Sequence, residues 1–470
     1  MTYLVALMVL AFLALTTVFF LLKFGVKRKE VYAVFLIVLA VYAASATFLI
    51  VLAVYAASAT FIYATQFYPL GGGQGDQHLY HTAAVLISQD FWQGDFSLES
   101  IKYNLYLEYA PNWYPVLIAV LYFVTVPNVI VGVMVNVWFV ALSALLLYAL
   151  VLQLGASRKW AFLVGLSPIL YPSYLYWGSI LLRESLVIVL ALASVLLMLK
   201  LQKRFSFLSF FLFFLALGAL IYFRFYIGFA VLFVFAFSWF FLFYLEWKKK
   251  LVYGLFVIPL LGFLPQISGH GYYGSIEILH YARPSTIVTY REFTPGKNWH
   301  PDTRSEPVPQ LPPASPGPAP APAPEPVPVV PPAIPVYPGP RTQGLGSTVV
   351  LSVDADNPVA FVKNYLTSFS FMALGPFPWH IRYARQMLVL VETIPWWIAF
   401  FFIARGVMRS RRRWRDMMPL LLVSLGILAE IALILNTYGT YMRIRMPAFI
   451  LLFTLLPFAF EKDQKEVETA

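Results

Sequence analysis

This sequence predicts an all-α polytopic membrane protein, and three observations carry that reading. Its 470 residues are 60% hydrophobic and only 12% charged, too little polar surface for a soluble chain of this size to cover itself. Apolar stretches of roughly 18–25 residues recur along it, each near the ~20 that cross a ~30 Å hydrocarbon core as helix and about twice the length of a barrel strand. Between the stretches stand short basic clusters: Lys23, Lys27, Arg28 and Lys29; Arg158 and Lys159; Lys200, Lys203 and Arg204; Lys248 to Lys250; and Arg409 to Arg415. Loops kept on the cytoplasmic side have this composition. Because the formal charge of +11 is dispersed over those loops, nucleic acid is not an expected partner and membrane lipid is. The chain has no cysteine, which excludes disulfides and thiolate metal sites.

Taken in order, the first segment, Tyr3–Leu22, has no basic stretch ahead of it and no small-residue cleavage site, so a retained helix is expected rather than a signal peptide. Helices then follow near Val31–Tyr63, Pro115–Thr125, Asn128–Leu152, Trp160–Trp177, Ile180–Leu199, Phe205–Tyr222, Tyr226–Leu245, Leu251–Pro265, Met387–Val407, Met417–Leu435 and Met446–Phe460. The expectation is about 11–13 membrane helices, with juxtamembrane helices in the first outer loop. Three regions result: an N-terminal membrane module, 1–265, with outer loop 64–112; an extracytoplasmic loop, 266–364; and C-terminal membrane helices, 365–470. With the basic loops on one side, one segment between Asn112 and Trp177 must fall short of a full crossing. Pro115–Thr125 is the shortest and Trp160–Trp177 carries Pro168 and Pro172; a half-spanning or re-entrant piece is tolerated where protein or a wet cavity surrounds it.

Two stretches stand apart from this pattern. LIVLAVYAASATF at Leu36–Phe48 recurs at Leu49–Phe61. A period of 13 rotates the second copy by ~220° on a helix, so the copies cannot show a partner the same face, and the extra length overshoots the bilayer by ~20 Å. Between Pro307 and Pro340, sixteen of 34 residues are proline; this insertion is expected to be extended polyproline II or disordered. Its flanks, SGHGYYGSIEILHYARPSTIVTYREF and TVVLSVDADNPVAF, suggest a small strand-rich patch.

Ionisable side chains inside apolar spans are expensive and mark function by default. Here Arg183, Glu184, Arg224, Glu392, Glu430, Arg443 and Arg445 fall in or near the outer third of their spans, at the level of Asp76, His78, Tyr80 and His81. Singly, each reads as a snorkelling group or an ion pair between helices. As a set they suggest a polar cavity open to the outside. Guanidinium groups there suit a phosphate, and carboxylates suit a base or a clamp on sugar hydroxyls. Asp76 also reads as a helix start, since it precedes the periodic Leu79, Ala83 and Leu86. The glycines Gly71 to Gly73 would let backbone approach a substrate. Asp76, His78 and His81 could bind a divalent cation, the one cofactor the residues suggest.

The pattern resembles the GT-C superfamily of multi-pass glycosyltransferases, whose members include protein O-mannosyltransferase-like and aminoarabinose-transferase-like enzymes and an uncharacterised bacterial branch. The residues that carry the resemblance are Gly75-Asp76 followed four residues later by Tyr80, NWYP at Asn112–Pro115, and LLRESL at Leu181–Leu186. GPFPW at Gly375–Trp379, followed by Glu392, Trp396 and Trp397, and the closing GTYMRIRMP at Gly439–Pro447 complete it. The resemblance implies transfer of a sugar from a polyprenyl-phosphate donor to a glycan, lipid or protein acceptor on the outer face of a bacterial or archaeal cytoplasmic membrane, in cell-envelope glycan biosynthesis. It makes Asp76 the base or a metal ligand, and the base in the reaction expected here. Where the family has two adjacent acids this chain has Asp76-Gln77, with Asp90, Asp95 and Glu99 as reserves. Arg443 and Arg445, with Arg183, would hold the departing phosphate, and Glu184 or Glu392 would orient the sugar or those arginines. The rival readings are a transporter or flippase, a polymerase or ligase of lipid-linked glycans, and a non-catalytic scaffold.

Overall fold

The structure is a computed structural model and describes residues 2–46, 76–107, 113–260, 357–380, 390–434 and 438–461. Among these residues every regular element is helical. The second copy of the 13-residue repeat, the proline tract and Gly71 to Gly73 lie outside them.

The chain opens with α1 (Thr2–Lys23) and α2 (Lys29–Ala46), then α3 (Asp76–Trp92), α4 (Leu98–Leu107) and α5 (Tyr114–Val124). Next come α6 (Val129–Gln153) and a broken segment of three pieces, α7 (Arg158–Gly165), α8 (Ser167–Leu170) and α9 (Pro172–Gly178). After them run α10 (Glu184–Lys203), α11 (Phe207–Phe223), α12 (Phe225–Phe241) and α13 (Trp247–Leu260). The C-terminal part comprises α14 (Pro358–Leu374), α15 (Leu390–Arg409), α16 (Trp414–Ile434), α17 (Tyr438–Ile444) and α18 (Met446–Phe453). Five helices, α1, α6, α10, α15 and α16, are long and apolar enough to cross a membrane, while α5, α11 and α12 are apolar but shorter. α1 packs on α6 along one side only and turns Leu4, Met8, Phe12, Leu15 and Phe19 outward, all more than half exposed. A stripe of that kind on a soluble monomer would be an aggregation surface; on a membrane protein it meets lipid.

α6 is the hub. α1, α2, α7 and α10 all pack on it, and α10 in turn carries α11 and α12, while α16 joins α12, α14 and α18. The basic loops gather at one end of this bundle and are stitched there. Lys203 donates to the Gln153 carbonyl at 2.7 Å and lies 3.7 Å from Asp416, Gln202 donates to the Arg415 carbonyl at 2.9 Å, and Arg413 donates to the Gly155 carbonyl at 3.2 Å. α10 places Glu184 in its first turn and Lys200 and Lys203 in its last, the polarity its macrodipole favours.

The two segments that could fall short of a crossing differ in kind. α5 has 11 residues, about 16 Å of helix and half a bilayer. Trp160–Trp177 is instead a longer run of three helical pieces broken at Pro168 and Pro172, and neighbours satisfy the backbone that the breaks release: Tyr42 donates to the Pro168 carbonyl at 2.8 Å, and the Ser173 N–H donates to Glu392 at 3.0 Å. Prolines are tolerated inside a membrane bundle where such partners exist. Two expectations are corrected. The start of the sixth predicted segment moves from Ile180 to Glu184, because Ile180 to Arg183 form a loop. The C-terminal end of TVVLSVDADNPVAF, read as strand, opens α14: the Asn357 side chain accepts from the Ala360 N–H at 3.2 Å and Pro358 follows at the first helical position, a favoured start signal.

Candidate functional site

At the end of the bundle opposite the basic loops, Glu184 is buried at the first turn of α10 with 4% of its surface exposed. Arg224, at the junction of α11 and α12, pairs with its Oε1 and also donates to the Tyr226 hydroxyl at 2.7 Å. Arg443 of α17 places Nε 3.1 Å from the same Glu184 oxygen, an ion-pair distance without hydrogen-bond alignment. Its Nη1 donates to Asp76 Oδ2 at 2.6 Å. Arg183 adds a third guanidinium close enough to Glu184 and Tyr80 to act on them electrostatically, and its Nε has no hydrogen-bond partner among the described residues. Three arginines thus gather on one buried carboxylate, with Asp76 alongside. Counting formal charges, the group carries one more positive charge than negative. Asp76 is its open edge: 42% of that side chain is exposed, against 14% for Arg443 and 6% for Arg224. The sequence suggests a polar cavity at this level; the structure has Arg224, Glu184, Arg443 and Asp76 in direct contact along one chain of ion pairs.

Two uncharged residues hold this arrangement in place: Asn136, which the sequence reading passed over, and Gln77, which it noted only as standing where the family has an acid. Asn136, fully buried in the third turn of α6, accepts from the Tyr114 hydroxyl at 2.7 Å and donates to the carbonyls of Ile180 and Leu182 at 2.6 and 2.7 Å. It therefore fixes the loop that ends in Arg183. Gln77 accepts from the Leu181 N–H at 3.2 Å, tying the first turn of α3, and hence Asp76, to the same loop. Gly132 admits Leu181, whose Cδ1 would lie 2.7 Å from any Cβ built there. The signal for Asn136 was present as a lone amide in VIVGVMVNVWFV, since an unsatisfied amide within a bilayer is costly. Asn136→Leu is expected to lower stability by about 1–3 kcal/mol, read as a drop in the midpoint of thermal unfolding in detergent.

The aromatic and imidazole groups of α3 divide. Tyr80 is buried with its ring 5.7 Å from that of Tyr114. His81 places Nδ1 2.9 Å from the Tyr122 hydroxyl, while His78 is exposed. No group of three or more His, Asp or Glu side chains with metal-binding geometry forms among the described residues. Of the reserve carboxylates, Asp90 accepts from the Ser100 hydroxyl and from Asn104 at 2.6 Å, and Asp95 accepts from the Ser97 N–H at 2.8 Å, so both bind the α3–α4 turn together. Glu99 is exposed. Burial pushes the His81 imidazole below its ordinary range, with repulsion from His78 a smaller cause. A histidine harder to charge in the fold than in the unfolded chain contributes stability above its unfolded pKa of about 6.5 and loses it as pH falls below that value. The unfolding midpoint is expected to decline on that acid side, and to decline less in His81→Gln.

Arg445 and Glu392 form a second, separate group; no hydrogen bond or ion pair joins it to the first among the described residues. Arg445 is fully buried at the break between α17 and α18. Its guanidinium donates to the carbonyls of Met372 at 3.2 Å and Gly375 at 2.7 Å and to Glu392 at 3.3 Å, and it lies over the Phe449 ring at 4.5 Å. Trp396 and Trp397 donate to the next two carbonyls, Ala373 and Leu374, each at 2.7 Å. The end of α14, whose last carbonyls have no partners within the helix, is therefore satisfied by three side chains from α15 and the α17–α18 break. Arg445, read from the sequence as a phosphate ligand, has both terminal nitrogens committed to this structural task, its Nε having no hydrogen-bond partner among the described residues, and Glu392 orients Arg445 rather than a group at the first site. Glu430 is half-buried in α16 and makes no ion pair, with Oε2 unpartnered among the described residues.

The chain matches no protein-family model, and comparison with curated proteins finds no match.

Proposed function

We propose that the chain is a membrane glycosyltransferase that moves a sugar from a polyprenyl-phosphate donor to an acceptor hydroxyl, with the Asp76–Arg443–Glu184 cluster as its site. The observation that supports this most is Arg443, which bridges Asp76 at 2.6 Å and Glu184 at 3.1 Å on three different helices. Glu184 holds the guanidinium in place from the buried side. A phosphate arriving at the exposed edge would compete with Asp76 for Arg443, since guanidinium pairs with phosphate at least as readily as with carboxylate. Donor binding in this way frees the Asp76 carboxylate next to the sugar. The acceptor oxygen then attacks the anomeric carbon, the bond from that carbon to the phosphate oxygen breaks, polyprenyl phosphate leaves on Arg443 and Arg183, and Asp76 takes the hydroxyl proton. Such chemistry rests on positioning and on stabilising the leaving group. Placing the basic loops in the cytoplasm puts the cluster at the outer face, in the order the positive-inside trend favours.

The test is transfer from a radiolabelled polyprenyl-phosphate sugar by the full chain in proteoliposomes. Asp76→Asn and Arg443→Ala are each expected to reduce transfer by at least about 10²-fold. Transfer undiminished in Asp76→Asn rejects that base. No transfer by wild type from any such donor rejects the enzyme reading in favour of a carrier or scaffold.

A further inference from the structure

The other end of the bundle holds a feature that the charge cluster does not use. A groove of about 640 Å³ opens between α1, α2, α6 and α10, within the usual range for ligand sites. Its wall along α6 runs from Leu142 to Leu152, and Val189 and Ala193 of α10 face that stretch. Ten residues of helix span about 15 Å, half of a ~30 Å hydrocarbon core, so the groove has the depth of one leaflet. Lys27 and Arg28 line its end at the α1–α2 turn, and both are exposed. That turn is held by the Tyr32 hydroxyl, which donates to the Val26 carbonyl at 2.6 Å. One polar group stands among the apolar lining: Tyr148 is 2% exposed, and its hydroxyl has no hydrogen-bond partner among the described residues. It lies one turn, about 6 Å, nearer the bilayer centre than Leu152.

We propose that this groove holds one acyl chain of an anionic phospholipid from the leaflet on the basic-loop side, with the lipid phosphate at Lys27 and Arg28. Apolar walls one leaflet deep accept the chain. The two cations are placed where a headgroup phosphate would stand, which is the charge complementarity that selects an anionic lipid over a zwitterionic one. Tyr148 lines the groove below the headgroup level, where its ring adds to the wall that the acyl chain meets. An apolar helix of a partner protein would fill the walls but would offer nothing to the two cations.

Native mass spectrometry of the full chain in mild detergent, titrated with phosphatidylglycerol or phosphatidylcholine of identical chains, tests this. One phosphatidylglycerol is expected to be retained with at least about tenfold preference. Ala149→Phe, which fills the groove, should abolish that adduct. Exchanging both cations, Lys27→Gln with Arg28→Gln, should reduce the preference to about one; these are exposed turn residues, so that variant decides the matter even where the filled groove fails to fold. Leu215→Phe on the outward face of α11 should behave as wild type. Equal retention of the two lipids by wild type, full retention of phosphatidylglycerol by Ala149→Phe, or a second protein chain in place of lipid would overturn the proposal.

Discussion

Glu184→Gln is expected to destabilise the folded chain by about 3–5 kcal/mol, the larger of the effects tied to the first charge cluster. The substitution keeps the side chain's shape and removes the one buried negative charge on which Arg224 and Arg443 converge and which Arg183 adjoins. Asp76 cannot replace it, because that carboxylate stands on the exposed side of Arg443 and makes no ion pair with Arg224 among the described residues. The loss is attributed to stranded cations rather than to a missing contact, and a double-mutant cycle separates the two. Glu184→Gln with Arg224→Gln should be more stable than the sum of the single changes predicts, by about 1–3 kcal/mol. The same stranded guanidinium groups should recruit an anion from solution. Inorganic phosphate is therefore expected to raise the unfolding midpoint of Glu184→Gln more than that of wild type, by mass action on the folded state. A midpoint for Glu184→Gln within a degree of wild type, with no response to phosphate, would mean the carboxylate is not the counter-charge that the geometry makes it.

What the sequence revealed of this site follows from solvation. Asp76, Glu184 and Arg443 were legible because charges in apolar helices are rare and costly, and their shared depth could be counted from the basic loops. Which of them touch was not legible. Arg443 and Arg445 are two residues apart and looked interchangeable, yet the helix breaks between α17 and α18 at Arg445. One guanidinium is sent to Asp76 and the other to the end of α14. Pro447, two residues on, announces the break itself, but not where each guanidinium goes, since the carbonyls that Arg445 meets end a helix some 70 residues away in the chain. α14 itself was obscured by alternating apolar residues just before it, although Asn357-Pro358 carried the helix-start signal. Asn136 went unread, and Gln77 was read only as a missing acid, because neither is charged; both act by holding backbone, and the loop they hold has no signature of its own. The all-helical membrane fold was the most legible level of all, since length, apolarity and basic punctuation all report on one solvent, the bilayer.

Arg445→Met should cost a comparable amount, about 3–5 kcal/mol, for a different reason, and comparison with Arg443 tells the two roles apart. Removing the Arg445 fork leaves Glu392 buried without its counter-charge and leaves the Met372 and Gly375 carbonyls without donors in a fully buried position. Lysine restores the charge but cannot span two carbonyls and a carboxylate at once, because an ammonium on a flexible stem lacks the planar fork. Arg445→Lys is accordingly expected to recover less than half of the lost stability. Arg443 meets two carboxylates and no carbonyl, Glu184 from the buried side and Asp76 at the exposed edge, an arrangement an ammonium tolerates, so Arg443→Lys should stay within about 1 kcal/mol of wild type. If the proposed transfer reaction is present, that same variant should nevertheless lose donor affinity, because the planar pair of N–H donors that suits phosphate is gone. Unfolding midpoints for the three variants in one detergent suffice for the structural half. Should Arg445→Lys prove as stable as wild type, the end of α14 is held by Trp396 and Trp397 alone, and Arg445 becomes available again as a ligand for an anion.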